Sequence, residues 1–262
     1  MGDATDLFAS TAGYYARYRP GYPPAVLDRI RAAFGLDGTG RLLDLGCGTG
    51  ELARALHGDF TEAVGLDVSA EMLAEARRQA TRAGIANIRW VQLPAEEISG
   101  ALGRFRLVTI GNAFHWMRRD VVLDRSYDLL EPGGGVAILG NPGIWTGEDA
   151  WERAAHDVVV RWLGPRRRTR AGFFADEERA EKVALARSRF VGMEAGDYRW
   201  SRPVDVDTIL GGLFSTSFAS RALLGDRADD FAADLRRTLL ALDPAGRFVQ
   251  RLITDYLFGH KR

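Results

Sequence analysis

Three glycines at alternate positions, Gly46, Gly48 and Gly50, follow the apolar run Leu42-Leu43-Asp44-Leu45 and precede a segment that repeats Leu52, Ala55 and Leu56 at helical spacing. Glycine lets the backbone turn sharply and a ligand approach without a Cβ in the way, while the helix that follows presents free amides and a positive end. Binding of a nucleotide-like ligand is the chemistry such a loop serves. Its G-x-G-x-G spacing differs from the G-x-G-x-x-G that receives a pyrophosphate, and it lacks the lysine of a phosphate loop. A glycine triplet alone equally makes a tight strand-to-helix turn, so its partners decide.

Asp67 ends the next apolar run, where a carboxylate can accept hydrogen bonds from both hydroxyls of a ribose. The alternative is a helix-capping aspartate, a task for which Ser69 is better placed. In Leu93-Pro94-Ala95-Glu96-Glu97 an acid beside a small residue could receive an adenine amino group, though either glutamate equally makes a solvated loop charge. Gly111-Asn112-Ala113-Phe114-His115-Trp116 places a polar group, a small residue and aromatics after a further strand, at the crevice where open α/β sheets bind ligands. His115 is the best-placed general base among the four histidines. In the other reading, His115 and Trp116 form a structural wall. Of His57, His156 and His260, only His156 could reach the same crevice.

These residues need a frame, and the sequence supplies one from 41 to 139, where short apolar runs alternate with segments of helical period. Strands are expected at 42–45, 63–67, 88–91, 105–110 and 136–139, with helices at 51–56, from Ser69 to Gly84, and at 118–130. The class is α/β, a parallel sheet with crossover helices. Beyond Asn141 the rhythm breaks: a helix at 148–163 leads into an arginine-rich loop at 164–168. After about 196 come one alternating segment, Tyr198-Arg199-Trp200, helices at 206–214 and 228–242, and an apolar run at 248–257, which adds two strands and makes seven. With no repeat or low-complexity linker, 1–262 is expected to be one domain: a core at 38–140, cap elements at 1–37 and 141–190, and sheet completion at 191–262.

Thirty-five Lys plus Arg balance thirty-five Asp plus Glu, which removes the field that drives sequence-independent binding to nucleic acid or anionic membranes. Cys47, the single cysteine, forms no internal disulfide and no cysteine-rich zinc site; no metal is expected, and a reducing cytoplasm suits the chain. No apolar stretch reaches the ~18 residues of a membrane span, and the first residues do not read as a secretion signal.

Taken together, the residues resemble the class I S-adenosylmethionine-dependent methyltransferases. The resemblance is carried by Leu42-Leu43-Asp44-Leu45-Gly46-Cys47-Gly48-Thr49-Gly50, Gly65-Leu66-Asp67-Val68-Ser69, Ala113-Phe114-His115-Trp116 and Leu130-Glu131-Pro132-Gly133-Gly134-Gly135. Tyr14-Tyr15-Ala16-Arg17-Tyr18-Arg19-Pro20-Gly21-Tyr22-Pro23 looks like a small-molecule subgroup that includes ubiquinone-type, trans-aconitate-type and natural-product enzymes. The resemblance implies a Rossmann-like, mostly parallel seven-stranded sheet with a helical cap, and S-adenosylmethionine as cofactor. It further implies that Gly46 and Gly48 lie against the methionine part, with Asp44 and Gly50 also among the cofactor-binding residues. Asp67 would hold the ribose, Val68 and Met72 flank the adenine, and Glu96 with Ala95 meet its edge. Asn112 and Ala113 would border the sulfonium.

Outside the core, Tyr14, Tyr15, Tyr18 and Tyr22 could form a flap over the cofactor, with Arg17 or Arg19 reaching its carboxylate; a surface-packing cluster is the other reading. Tyr14, Trp116 and Trp145 are candidate acceptor contacts, and Trp145, Trp151, Trp162, Phe173 and Phe174 a possible apolar substrate cap or simply core. Arg161, Arg166, Arg167, Arg168 and Arg170 could receive an anionic acceptor group or be a solvated face. The expected function is methylation of a small-molecule acceptor, oxygen ahead of carbon or nitrogen, in specialised or quinone-like metabolism. A methyltransferase-like cyclase or isomerase that binds the cofactor without net transfer is the alternative. Neither nucleic acid nor membrane is an expected partner, and the chain is expected to be a monomer or homodimer.

Overall fold

Parallel strands covered on both faces read as near-continuous apolar runs, and such runs form the middle of the sheet. The computed structural model describes residues 11–141, 149–164 and 174–262. The strands β1 (Arg41–Leu45), β2 (Glu62–Asp67), β3 (Ile88–Gln92), β4 (Phe105–Gly111) and β5 (Leu130–Gly140) pair with one another in parallel. With β6 (Val191–Asp205) and β7 (Arg247–His260) they form one seven-stranded sheet in the order β3-β2-β1-β4-β5-β7-β6. β7 runs antiparallel to β5, with Gly135 opposite His260 and Gly140 opposite Asp255. The expected α/β class and strand number are therefore present. The order reverses between β1 and β4, so the loops leaving their carboxyl ends face the crevice where such sheets bind ligands.

The helices are α1 (Ala12–Tyr18), α2 (Pro24–Phe34), α3 (Glu51–Leu56), α4 (Ala70–Arg82), α5 (Arg119–Leu129), α6 (Ala150–Leu163), α7 (Phe174–Ala186), α8 (Val206–Phe214), α9 (Arg221–Leu224) and α10 (Ala228–Leu242). Contacts divide the chain into two compact units. The larger comprises Gly21–Gly140, Arg170–Tyr198 and Thr254–Arg262. Period-two alternation splits its core between the two faces of the sheet. Leu43, Leu45, Val64, Leu66, Val108 and Ile110 pack with Phe114 and with Val122 and Leu123 of α5. On the other face Leu42, Ala63, Leu107 and Ala137 pack with Ile30 and Phe34 of α2 and Leu52 and Leu56 of α3.

The smaller unit comprises Met1–Pro20, Asn141–Thr169 and Arg199–Ile253. Its core joins Trp151 and Val158 of α6, Val204 of β6, Phe214 of α8, and Phe231, Leu235 and Leu239 of α10. This division differs from the expected caps. Segment 21–37 belongs with the sheet because α2 buries Val26, Ile30 and Phe34 there; 191–262 supplies β6 and β7 to the sheet, and the helices between them join the smaller unit. Among the described residues, no helix is long and apolar enough to cross a membrane.

Candidate active site

Three strand ends supply the candidate residues of the larger unit. After β1, Gly46, Gly48 and Gly50 all adopt positive φ, at 63°, 54° and 82°. A Cβ at Gly46 would lie 2.6 Å from that of Ala113, so the loops after β1 and β4 touch at this point. At the end of β2, Asp67 accepts the Gly48 amide through Oδ2 at 2.9 Å and the Ser69 amide through Oδ1 at 2.8 Å. An ionised carboxylate offers about four acceptor sites, more than these two amides take. Burial raises the Asp67 carboxyl above its ordinary value, and the Ser69 and Gly48 amides work against that shift. Ser69 caps α4 by accepting the Met72 amide, as its position suggests.

Asp44 sits beneath the loop. It is 1% exposed, and its carboxylate takes the Thr109 hydroxyl at 2.7 Å and the Ala53 amide at 3.2 Å. That amide belongs to the first turn of α3, so it is held by the protein's own acid. Burial pushes the Asp44 carboxyl up to about 7. Cys47 is buried beside Asp44 and Asp67, and burial with their charge lifts its thiol well above the ordinary range. A thiol kept protonated is not a nucleophile.

Val68 is 37% exposed, an aliphatic side chain presented beside Asp67, whereas Met72 is buried. Gln92 donates to the Val68 carbonyl, and the Leu93 amide to that of Asp67, which fixes the loop after β3 against the end of β2. Ala95 is buried in the core; Glu96 accepts the Arg118 amide at 2.8 Å, tying this loop to the start of α5, while Glu97 is exposed.

After β4, Asn112 has φ 52°, the one non-glycine residue with positive φ among those described. Its amide donates to the Leu139 carbonyl and its Nδ2 to the Tyr22 hydroxyl at 3.1 Å. Phe114 is buried in the core, which fixes the short turn carrying His115 and Trp116, whose rings lie 4.9 Å apart. His57 Nδ1 lies 3.0 Å from Asn87 Oδ1, and His260 packs on Phe34. Among the described residues no group of three or more His, Cys, Asp or Glu could hold a metal.

Sequence reasoning passed over Trp90. This residue pairs with Gly65 across the β2–β3 register, and its ring fills the space that a Cβ at Gly65 or Gly50 would need, at 2.4 and 2.5 Å. A glycine facing a tryptophan on the next strand is the signal that could have found it.

A model described as "methyltransferase domain" matches residues 42–134, the stretch that carries all three strand ends. That stretch is similar to the class I S-adenosylmethionine-dependent methyltransferases. An uncharacterised methyltransferase of Mycobacterium tuberculosis is 29% identical over 162 residues, 61% of each protein. The trans-aconitate 2-methyltransferase of Deinococcus radiodurans is 38% identical over 101 residues, 37% of this chain and 36% of that protein. A methyltransferase from Thiobacillus denitrificans, solved with S-adenosyl-L-homocysteine, superposes with a TM-score of 0.55 at 18% identity, covering 100% of both chains. This chain spans 52% to 61% of the length of the first curated relatives it matches.

The matched stretch lies within the larger unit. The smaller unit holds the remaining candidates. Tyr14 stacks on Tyr18 at 6.1 Å and meets Phe214 edge-on at 5.4 Å; the Tyr18 ring occupies the space above Gly211. Arg19 donates from Nε to the Ser215 hydroxyl at 2.9 Å and lies over the Tyr15 ring. Trp151 and Trp162 pack in this unit's core, and Arg161 pairs with Asp234. Trp145, Phe173, Arg166, Arg167, Arg168 and Arg170 lie outside the described residues.

Proposed function

We propose that this protein transfers a methyl group from S-adenosylmethionine to an oxygen of a small-molecule acceptor in specialised or quinone-like metabolism. The observation that carries the reading is the joined unit of glycine loop and Asp67 at the reversal of the strand order. S-adenosylmethionine supplies a methyl on a sulfonium sulfur, which takes back the bonding electron pair when a nucleophile displaces it. The chain's task is to hold and orient. Gly46 and Gly48 would lie against the methionine portion, Asp67 would accept from the ribose hydroxyls, and exposed Val68 would support the adenine. Glu96 would offer the adenine edge the oxygen not held by Arg118, beside Ala95. Asn112 and Ala113 would border the transferred methyl.

Positioning of an acceptor can supply ~7 to 11 kcal/mol of the barrier. A hydroxyl acceptor must also lose a proton, which His115 would receive; a carboxylate arrives without one. Trp116, whose ring lies 4.9 Å from that of His115, is the proposed acceptor contact. The trans-aconitate enzyme among the relatives supports a small acceptor, the balanced charge argues against nucleic acid, and the single cysteine suits a reducing cytoplasm.

The test is incubation with labelled S-adenosylmethionine and a panel of small acids and phenols, read by mass spectrometry. A product heavier by one methyl, with S-adenosylhomocysteine released, supports transfer. An isobaric product without released S-adenosylhomocysteine would replace it with the cyclase or isomerase reading.

A further inference from the structure

β2 is an interior strand, where a glycine has no side chain to pack and weakens the pairing, yet Gly65 stands in it. Its φ is not positive, so the backbone does not call for glycine at this position. The ring of Trp90 does. Gly65 and Trp90 are register partners across β2 and β3, and a Cβ at Gly65 would run into Cζ3 and Cε3 of the indole and stand 3.2 Å from Cys47 Sγ. The same ring reaches Gly50, where a Cβ would lie 2.5 Å from its Cη2 and 3.3 Å from the Cβ of Ala76 on α4. All of these residues belong to the larger unit.

One side chain therefore abuts the last glycine of the loop, shares the space over Gly65 with the loop's Cys47, and covers β2 just before Asp67. Glycine has more backbone freedom to lose than any other residue, and a loop with three glycines in five residues has few side chains of its own to hold it. Ala113 and Met117 Cε close it off at Gly46, and Asp67 holds the Gly48 amide. At Gly50 the boundary is Trp90 with Ala76. The strand that carries Trp90 also runs on into Leu93, whose amide donates to the Asp67 carbonyl.

Resting on the cofactor-binding part of the reading above, we propose that Trp90 is a positioning residue: its indole braces the Gly50 end of the glycine loop against β2 and so presets loop and Asp67 for S-adenosylmethionine. It acts through the loop and needs no contact with the cofactor. A preset loop gives up little freedom on binding, whereas a loop that the ligand must order loses that entropy from its affinity.

Hydrogen–deuterium exchange over residues 46–52 of the cofactor-free full chain, together with calorimetric titration by S-adenosylhomocysteine, tests this. Trp90→Val should speed exchange of the loop and weaken S-adenosylhomocysteine roughly tenfold, the equivalent of ordering about one further residue on binding. Trp90→Phe, whose ring stops short of Gly50, should show both changes in smaller measure, and it decides the matter if the valine variant does not fold. Adding Gly65→Ala to Trp90→Val puts a methyl into the vacated space and should recover part of both. Phe105→Leu truncates a fully buried ring at the amino end of β4, away from the strand ends that carry the site. It should lower Tm as a core truncation does while leaving loop exchange and affinity within about twofold of wild type.

The proposal is overturned if the Trp90 variants exchange and bind as the wild type does, or if the added Gly65→Ala methyl recovers nothing. It is equally overturned if Phe105→Leu loosens the loop and weakens binding as much as the Trp90 variants, the mark of a general loss of stability. Failure of the wild type to bind S-adenosylhomocysteine would strike the proposed function instead, and the exchange comparison would still decide whether Trp90 braces the loop.

Discussion

Oδ2 of Asp67 accepts the backbone N–H of Gly48 at 2.9 Å, so the acid at the tip of β2 and the glycine loop after β1 form one hydrogen-bonded piece. Asp67→Ala removes the proposed ribose acceptors and also frees the Gly48 amide. Charge-assisted hydrogen bonds contribute about 1.5 to 3 kcal/mol each, so S-adenosylhomocysteine should bind roughly tenfold more weakly or worse. Calorimetric titration decides it: an unchanged affinity would mean that the ribose is held elsewhere.

Gly46 faces two constraints at once, a φ of 63° and an Ala113 Cβ that would stand 2.6 Å from its own. Gly46→Ala should cost about 1 to 2 kcal/mol for the left-handed backbone and about 1 to 3 kcal/mol for the overpacking. Thermal unfolding should show a lowered Tm, and adding Ala113→Gly should recover the overpacking share. If the double variant unfolds no later than the single one, the two loops do not press on each other as described.

Much of this site is legible from residue order because the sheet centre obeys two simple periods. β1, β2 and β4 are mostly apolar runs, and the candidate site residues sit where those runs stop, so Gly46, Asp67 and Asn112 can be picked out without coordinates. α2 was not anticipated, although Pro24 at its first turn, Gly35 with φ 54° at its end, and Val26, Ile30 and Phe34 between them carry the usual signals. Of β6 only Tyr198-Arg199-Trp200 is legible because most of its length is exposed, and Val204 alone is fully buried, in the smaller unit's core. Trp90 is hidden for a different reason: it matters through Gly50, a partner distant in sequence that only folding brings near.

His115 rides on a turn fixed by buried Phe114, so its ring can be removed without disturbing the glycine loop. On an acceptor whose reacting oxygen carries a proton, His115→Ala should lower kcat on the order of a hundredfold and leave S-adenosylhomocysteine affinity unchanged. Turnover at wild-type rates across the pH range would assign His115 and Trp116 to the wall of the site instead.

Asp44 gives the fold a pH dependence whose sign can be stated. Its carboxyl is pushed from an ordinary 3.8 to about 7, chiefly by burial, with the Thr109 and Ala53 hydrogen bonds pulling the other way. Between those values the folded state holds a proton that the unfolded state has released. Its contribution to stability therefore falls as pH rises through that window and levels off above it. Asp44→Asn removes the charge while keeping the shape: the amide oxygen can accept from Ala53, and the amide nitrogen can donate to a Thr109 hydroxyl turned to accept. Calorimetric Tm values at about pH 5 and pH 8 should show the variant gaining on the wild type at the higher pH, with cofactor affinity preserved because Asp44 lies under the loop. Parallel Tm curves for the two proteins would show that the buried carboxyl titrates normally.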